Sequence, residues 1–370
     1  MNKIEEINGL NGEVGIIVED KDTKRLVSKA YNYYFDKVTG FFARWGSTRE
    51  EDPEMSPFGP EIFDWEISTI CHHNCSFCYK SSGADGTNLS FEDFKTGFHT
   101  LPRSLTQVAF GIGDIDGNPD LWKIMEYCRN NDYNEVVPNI TINGSRMTTE
   151  AYDKLAELCG AVAVSHYDDD TCFNAVQELT DRGMKQVNIH QLLSTETYEE
   201  CLSLAEKIKT DPRLQKLNAV VFLALKPRGR GTNMHPLKDT KKYKRLIDRL
   251  EELGVAYGMD SCSGPTMLKA VADKENYGIY EACVEPCEST LFSGYANAEA
   301  KVFPCSFCED GVGISLLENS NFLKEVWFNN KIVDFREKLL KTATAKCALV
   351  PGCRECPVYD LYERCENENP

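Results

Sequence analysis

The chain has 370 residues, a formal net charge of -17 and 16 cysteines. Acidity on that scale, offset only by short basic segments at 226–230 and 238–249, repels phosphate backbones and excludes nucleic acid as the expected partner. No stretch approaches the roughly 18 apolar residues of a membrane span, the cysteines are too sparse for a disulfide scaffold, and no apolar run follows Met1-Asn2-Lys3, so a reducing, cytoplasmic setting without membrane contact is expected.

Residues 1–60 read as a polar N-terminal extension with an aromatic patch at 31–45, and the Glu50-Glu51-Asp52-Pro53 run with the turn at 56–60 reads as a linker. From there, short β-branched runs predict strands at 63–68, 107–112, 136–142, 161–166, 186–192 and 218–225. Amphipathic patterns predict helices at 91–101, 120–130, 149–159, 172–182, 197–210 and 240–253. Ser90, Thr148 and Thr171 are cap residues at helix starts, and Gly160, Gly183 and Gly254 mark helix ends. Six βα units over 61–254 predict an α/β fold, a partial (β/α)6 TIM-like barrel open on one side. After one more strand at 255–260 the composition changes, with nine of the 16 cysteines lying from Cys262 onward; residues 255–370 read as a C-terminal cysteine-rich domain.

The loop after the first barrel strand carries Cys71, Cys75 and Cys78 in the pattern CxxxCxxC. Three thiolates at this spacing can hold three irons of a [4Fe-4S] cluster and leave the fourth iron open to a reactant. A structural zinc site is the alternative and requires a fourth ligand, for which His72 or His73 is available. The triplet resembles that of the radical SAM enzymes, with Phe77 at the family's aromatic position, expected against the adenine of S-adenosylmethionine (SAM). That resemblance implies reductive cleavage of SAM to a 5′-deoxyadenosyl radical that abstracts hydrogen from substrate, with electrons from a flavodoxin- or ferredoxin-like donor.

Further matches follow at strand ends, where barrel active sites are built. Gly111, Gly113 and Asp114 in FGIGDIDGNPDL occupy the place of the family's Gly-Gly-Glu motif, although Ile112 separates the glycines and Asp replaces Glu. The alternating Asp114, Asp116, Asn118 and Asp120 also admit a calcium loop, against which stand Pro119 and Met125 at its sixth and twelfth positions. Asn143 before Gly144 and Ser165 after the fourth strand are candidate SAM contacts, and His190 is either a ligand contact or a core residue. KPRGRG resembles a Gly-Arg element of the family, so Arg230 or Arg228 is expected to clamp a carboxylate.

The tail segments 287–305 and 353–365 are similar to the start and end of the SPASM/twitch extension of radical SAM enzymes, with Ala300 where the hairpin usually has Gly. The resemblance implies one auxiliary [4Fe-4S] cluster held by Cys287, Cys305, Cys353 and Cys356. A second is conceivable from Cys262, Cys283, Cys308, Cys347 and Cys365. Cys262, just past the strand at 255–260, is the candidate catalytic thiol, able to donate a hydrogen atom, ligate a cluster or simply pack. The expected activity is modification of a peptide or protein side chain. The alternatives are a small-molecule oxidoreductase, such as an alcohol or sugar dehydrogenase, and a non-catalytic metal-binding module.

Overall fold

The structure is a computed structural model that describes residues 3–345 and 348–363, so Cys347 and Cys365 lie outside the described residues. The N-terminal extension is a folded five-stranded antiparallel meander in sequence order: β1 Lys3–Asn8, β2 Val14–Glu19, β3 Thr23–Val27, β4 Asn32–Asp36 and β5 Phe42–Trp45. Its strands escape a hydropathy reading because one face is charged or exposed, whereas the other carries Ile17, Leu26, Tyr33 and Phe35. That apolar face packs on Phe58, Val137, Leu291, Phe292 and Leu339. The buried Lys24 donates to the Leu105 carbonyl at 2.8 Å and to Asn134 Oδ1 at 2.7 Å, and Tyr33 Oη donates to the Ser104 carbonyl at 2.8 Å. All three partners precede barrel strands, so the meander covers the N-terminal rim of the barrel. The 56–60 segment, expected as a linker, is buried beneath it.

The barrel strands are β6 Ile62–Glu66, β7 Gln107–Gly111, β8 Val137–Ile142, β9 Val162–Ser165, β10 Val187–Leu193, β11 Ala219–Ala224 and β12 Tyr257–Met259, all parallel and in consecutive order. The outer helices are α1 Phe91–Phe98, α2 Leu121–Arg129, α3 Thr149–Leu158, α4 Asp169–Asp181, α5 Tyr198–Thr210 and α6 Thr240–Leu253. Ser90 and Thr148 cap α1 and α3 as expected, but α4 starts earlier than predicted because the Asp168 carboxylate accepts from Thr171 N at 2.8 Å. Gly254 ends α6 with φ +63°. Side-chain alternation on β6 sends Phe63 and Trp65 outward among the helices, where Trp65 meets Phe94, and turns Asp64 and Glu66 toward the barrel interior.

The tail contains α7 Gly264–Ala270, α8 Tyr277–Cys283, the strands β13 Ser293–Ala296, β14 Lys301–Phe303 and β15 Ile314–Ser315, and α9 Asn330–Ala343. It is not a detached unit: β13 pairs in parallel with β6, from Ser293 opposite Ile62 to Ala296 opposite Trp65, so one ten-stranded sheet runs from barrel into tail. Ala300 in the β13–β14 turn takes φ +53°, the left-handed conformation for which Gly is the usual choice. Among the described residues no helix is long and apolar enough to cross a membrane.

Candidate metal and cofactor site

Cys71, Cys75 and Cys78 lie on the loop that leaves the C-terminal end of β6, each half-buried. The loop is closed by Cys71 N donating to the Gly83 carbonyl at 3.0 Å and Cys78 N to the Cys75 carbonyl at 3.2 Å, with Asn74 in the left-handed region at φ +49°. Two neighbouring segments press on it closely. A Cβ at Gly113 would lie 2.1 Å from the Ile70 carbonyl oxygen and 2.6 Å from Cys71 Cβ; one at Gly229, where φ is +59°, would lie 2.5 Å from the Cys78 carbonyl oxygen. These glycines are required because backbone must touch backbone there.

Asp114 and Asn143, expected as SAM contacts, are spent on bracing this loop. Asp114 is 1% exposed; its Oδ2 accepts from His72 N at 2.9 Å and lies 2.6 Å from His72 Nδ1, while its Oδ1 accepts from Asn143 Nδ2 at 2.9 Å. Burial opposes its ionisation, but the bonds from His72 and Asn143 outweigh burial and hold the carboxyl below the usual range. Asn143 also donates to the Gly113 carbonyl at 3.0 Å and accepts from Ser145 N at 2.8 Å. The other carboxylates of the conceivable calcium loop are likewise engaged, Asp116 with Arg146 and Asp120 with Phe91 N.

Burial raises the Cys71 and Cys75 thiols, and each is raised further by neighbouring thiols of the triplet. Thiols that oppose one another's ionisation form a site that a cationic group would relieve. Among the described residues no three Cys, His, Asp or Glu side chains converge to hold a single ion; thiols that each take a different corner of a cubane stand wider apart than ligands of one ion. His72 bonds Asp114 through Nδ1, and His73 Nε2 lies 2.5 Å from Ser145 Oγ. The donor set fits a three-thiol cluster.

Phe77 flanks the triplet together with Tyr167, whose ring centroid is 5.6 Å from that of Phe77 and 5.4 Å from that of His73. Tyr167 is 43% exposed, is hydrogen-bonded to Ser165 and is electrostatically close to all three thiols. It escaped sequence reasoning; its position two residues past Ser165 at a strand end was the only signal. Gly111 ends β7 opposite Glu66.

The arginines of the KPRGRG segment bond backbone carbonyls. Arg230 donates to the Cys75 carbonyl at 2.7 Å and to the Ser82 carbonyl at 2.9 Å, holding the thiol loop. Arg228 donates to the Phe307 carbonyl in the tail at 2.7 Å, and the buried Lys226 pairs with Asp260. A second bridge between barrel and tail joins Lys80 to Glu66 at 3.1 Å, to Tyr295 Oη at 2.5 Å and to Glu309.

The barrel interior below the loop carries polar side chains. Asp64 is exposed by surface area although protein atoms crowd around it, and that crowding pushes its carboxyl up to about 6. His190, opposite Ser165 on β9 and Val221 on β11, has no side-chain hydrogen bond among the described residues; burial lowers it to about 4, so it is neutral at pH 7. The small Ala109 faces Asp64 across the sheet.

In the tail, Cys305 lies against Cys308, Cys287 is electrostatically close to Cys305 and Cys356, and Cys353 is 4% exposed and packs with Ile247, Met267, Leu268, Val271 and Tyr280. Cys262, the candidate catalytic thiol, is enclosed beside Lys226, Asp260, Cys287 and Cys356 rather than beside the three-thiol loop.

Comparison with known proteins agrees with this architecture. Residues 65–209 match the family model of the Radical SAM superfamily. No curated protein sequence matches the chain. Among solved structures, the chain is similar to Streptococcus suis SuiB bound to the precursor peptide SuiA, at 12% identity and TM-score 0.64, covering 89% of this chain and 94% of that one. It is also similar to native anSMEcpe with bound AdoMet and Cp18Cys peptide, at 15% identity and TM-score 0.59, covering 84% and 92%. Residues 65–209 are therefore a radical SAM domain, which places this part of the chain in the Radical SAM superfamily.

Proposed function

We propose that this radical SAM enzyme modifies a side chain of a peptide or protein. The observation that carries the reading is the thiol loop of Cys71, Cys75 and Cys78, braced by Gly113, Asp114, Asn143 and Arg230. When bound there, a [4Fe-4S] cluster supplies the electron that cleaves SAM and so gives access to a deoxyadenosyl radical. The residues of the chain do the rest: Phe77 and Tyr167 beside the thiol loop would offer an aromatic platform to SAM, and Gly113 lets the exit of β7 close on that loop. Asp64 and His190 offer a proton acceptor and a neutral imidazole inside the barrel.

A peptide substrate is supported by the likeness to two peptide-bound enzymes over most of each chain. A small-molecule oxidoreductase is the second reading, favoured by the polar side chains Asp64 and His190 inside the barrel. Electrons come from a flavodoxin- or ferredoxin-like protein in a cytoplasmic setting. The test is anaerobic incubation of the reconstituted enzyme with SAM, reductant and either peptides encoded beside its gene or small alcohols and sugars, following 5′-deoxyadenosine and substrate mass. A mass change confined to a peptide supports the proposal; turnover of the small molecules alone refutes it in favour of the second reading.

A further inference from the structure

The barrel strands divide their side chains into two sets. Along β7, β10 and β11, and on β8 from Pro138 onward, the outward residues are buried among the helices and the inward residues between them keep partial exposure. A barrel filled by layers of interlocking side chains would bury both sets, so this interior is left partly unfilled. Asp64 on β6 is the most exposed of the inward set. The lumen is two-sided: Asn139 and Thr141 on β8 continue the polar wall that Asp64 begins, whereas Leu192 on β10 and Val221 and Leu223 on β11 make the other wall apolar.

The charge of Asp64 is unanswered. Among the described residues it makes no hydrogen bond or ion pair, and no neighbouring charge offsets the protein crowded around it. Glu66, two residues on, differs, because Lys80 lies 3.1 Å from it and is shared with Glu309 and Tyr295. A crowded carboxylate ionises at a cost, which a cation placed beside it removes. Asp64 sits two residues, about 7 Å along the strand, below the end of β6. Tyr79, the residue after Cys78, feels the charge of both Glu66 and Asp64, which puts the carboxylate beneath the thiol loop. A lysine or arginine stem covers that depth and leaves a peptide main chain at the strand ends. The net charge of -17 draws basic peptides toward the molecule.

We propose that Asp64 determines substrate specificity by pairing with the ammonium or guanidinium of a basic side chain that reaches down the lumen, its alkyl stem lying against Leu192, Val221 and Leu223. The proposal rests on the reading that the substrate is a peptide or protein. The test measures, by calorimetry, the binding of capped tripeptides to the full chain reconstituted anaerobically and supplied with SAM. The central residue is lysine, norleucine, which keeps the stem without the charge, or glutamate. The wild type should bind the lysine peptide about tenfold more tightly than the norleucine peptide. Asp64→Asn should abolish that preference, and Asp64→Lys should transfer it to the glutamate peptide, both at wild-type iron content and SAM affinity. A lysine preference that survives in Asp64→Asn would overturn the proposal. So would a loss of SAM affinity in Asp64→Asn at full iron content, which would assign the carboxylate to SAM instead. n-Pentylamine separates the two readings. Its binding in an Asp64-dependent manner, with no binding of any peptide, would overturn the peptide reading and keep the pairing. A wild type that binds neither the amine nor the lysine peptide would overturn the pairing itself.

Discussion

Gly113→Ala places a single methyl group where the exit of β7 touches the thiol loop. The new carbon would start 2.1 Å from the Ile70 carbonyl oxygen, 2.8 Å from its carbon and 2.6 Å from Cys71 Cβ, and ordinary contact begins near 3.4 Å. The two segments must therefore part by more than 1 Å, and every obstructing atom is backbone or Cβ, so no flexible side chain can yield. Parting them also breaks the 2.9 Å bond from Asp114 N to the Ile70 carbonyl. Overpacking of this kind costs about 1–3 kcal/mol and a lost hydrogen bond about 1 kcal/mol more, giving roughly 2–4 kcal/mol in total. Because Cys71 moves with the obstruction, iron uptake should suffer as well as stability. Gly278→Ala is the matched control, since a methyl there meets nothing within 4 Å. After anaerobic reconstitution, Gly113→Ala should carry up to about four fewer irons per chain and a lower urea midpoint than the control. Equal iron and equal midpoints in the two variants would refute the close-approach argument.

Arg230→Ala removes the donors held by the Cys75 and Ser82 carbonyls; we expect a loss of about 1–3 kcal/mol in urea unfolding and faster release of iron to a chelator, and an unchanged release rate would contradict the bracing role. Tyr167→Ala should weaken SAM binding to the reconstituted protein by up to about tenfold at constant iron content, as measured by calorimetry, and undiminished affinity would remove Tyr167 from the platform. Burial lowers Lys24 from its usual 10.5 to about 7. The unfolded chain then holds a proton that the folded chain lacks between those values, so this group makes stability rise with pH by up to about 1.4 kcal/mol per unit above pH 7. Urea midpoints from pH 7 to 9 should show that rise in the wild type minus Lys24→Met difference, and parallel curves would exclude it. Pairing Ile17→Asp with Leu26→Asp on the inner face of the meander should unfold the barrel along with it, since that face covers Val137 and Phe292; a barrel retaining its melting transition would mean the meander is dispensable.

The barrel was legible because its signals are local. Alternating β-branched runs, Ser90 and Thr148 caps and the Gly254 stop each state their element within a few residues, and the CxxxCxxC loop is read at sight. The N-terminal meander was not, because its strands are short and polar on one side, and the apolar inner face becomes recognisable only once Val137, Phe292 and Leu339 supply its partner. The local partners of the site residues were not legible either. Asp114, Asn143 and Arg230 lie against the thiol loop, yet a sequence does not reveal that their donors and acceptors are already paired with it. Spacing likewise proposed Cys353 from a CxxC pair, whereas its neighbours Ile247 and Leu268 come from helices about a hundred residues earlier.

The most direct test of the account is 5′-deoxyadenosine formation from SAM by the reduced, anaerobically reconstituted protein, compared with a variant carrying Ala at Cys71, Cys75 and Cys78. The wild type should cleave SAM, and the variant should lose that activity together with about four irons per chain. Cleavage at an undiminished rate in the variant would contradict the assignment of the thiol loop as the site where SAM meets iron.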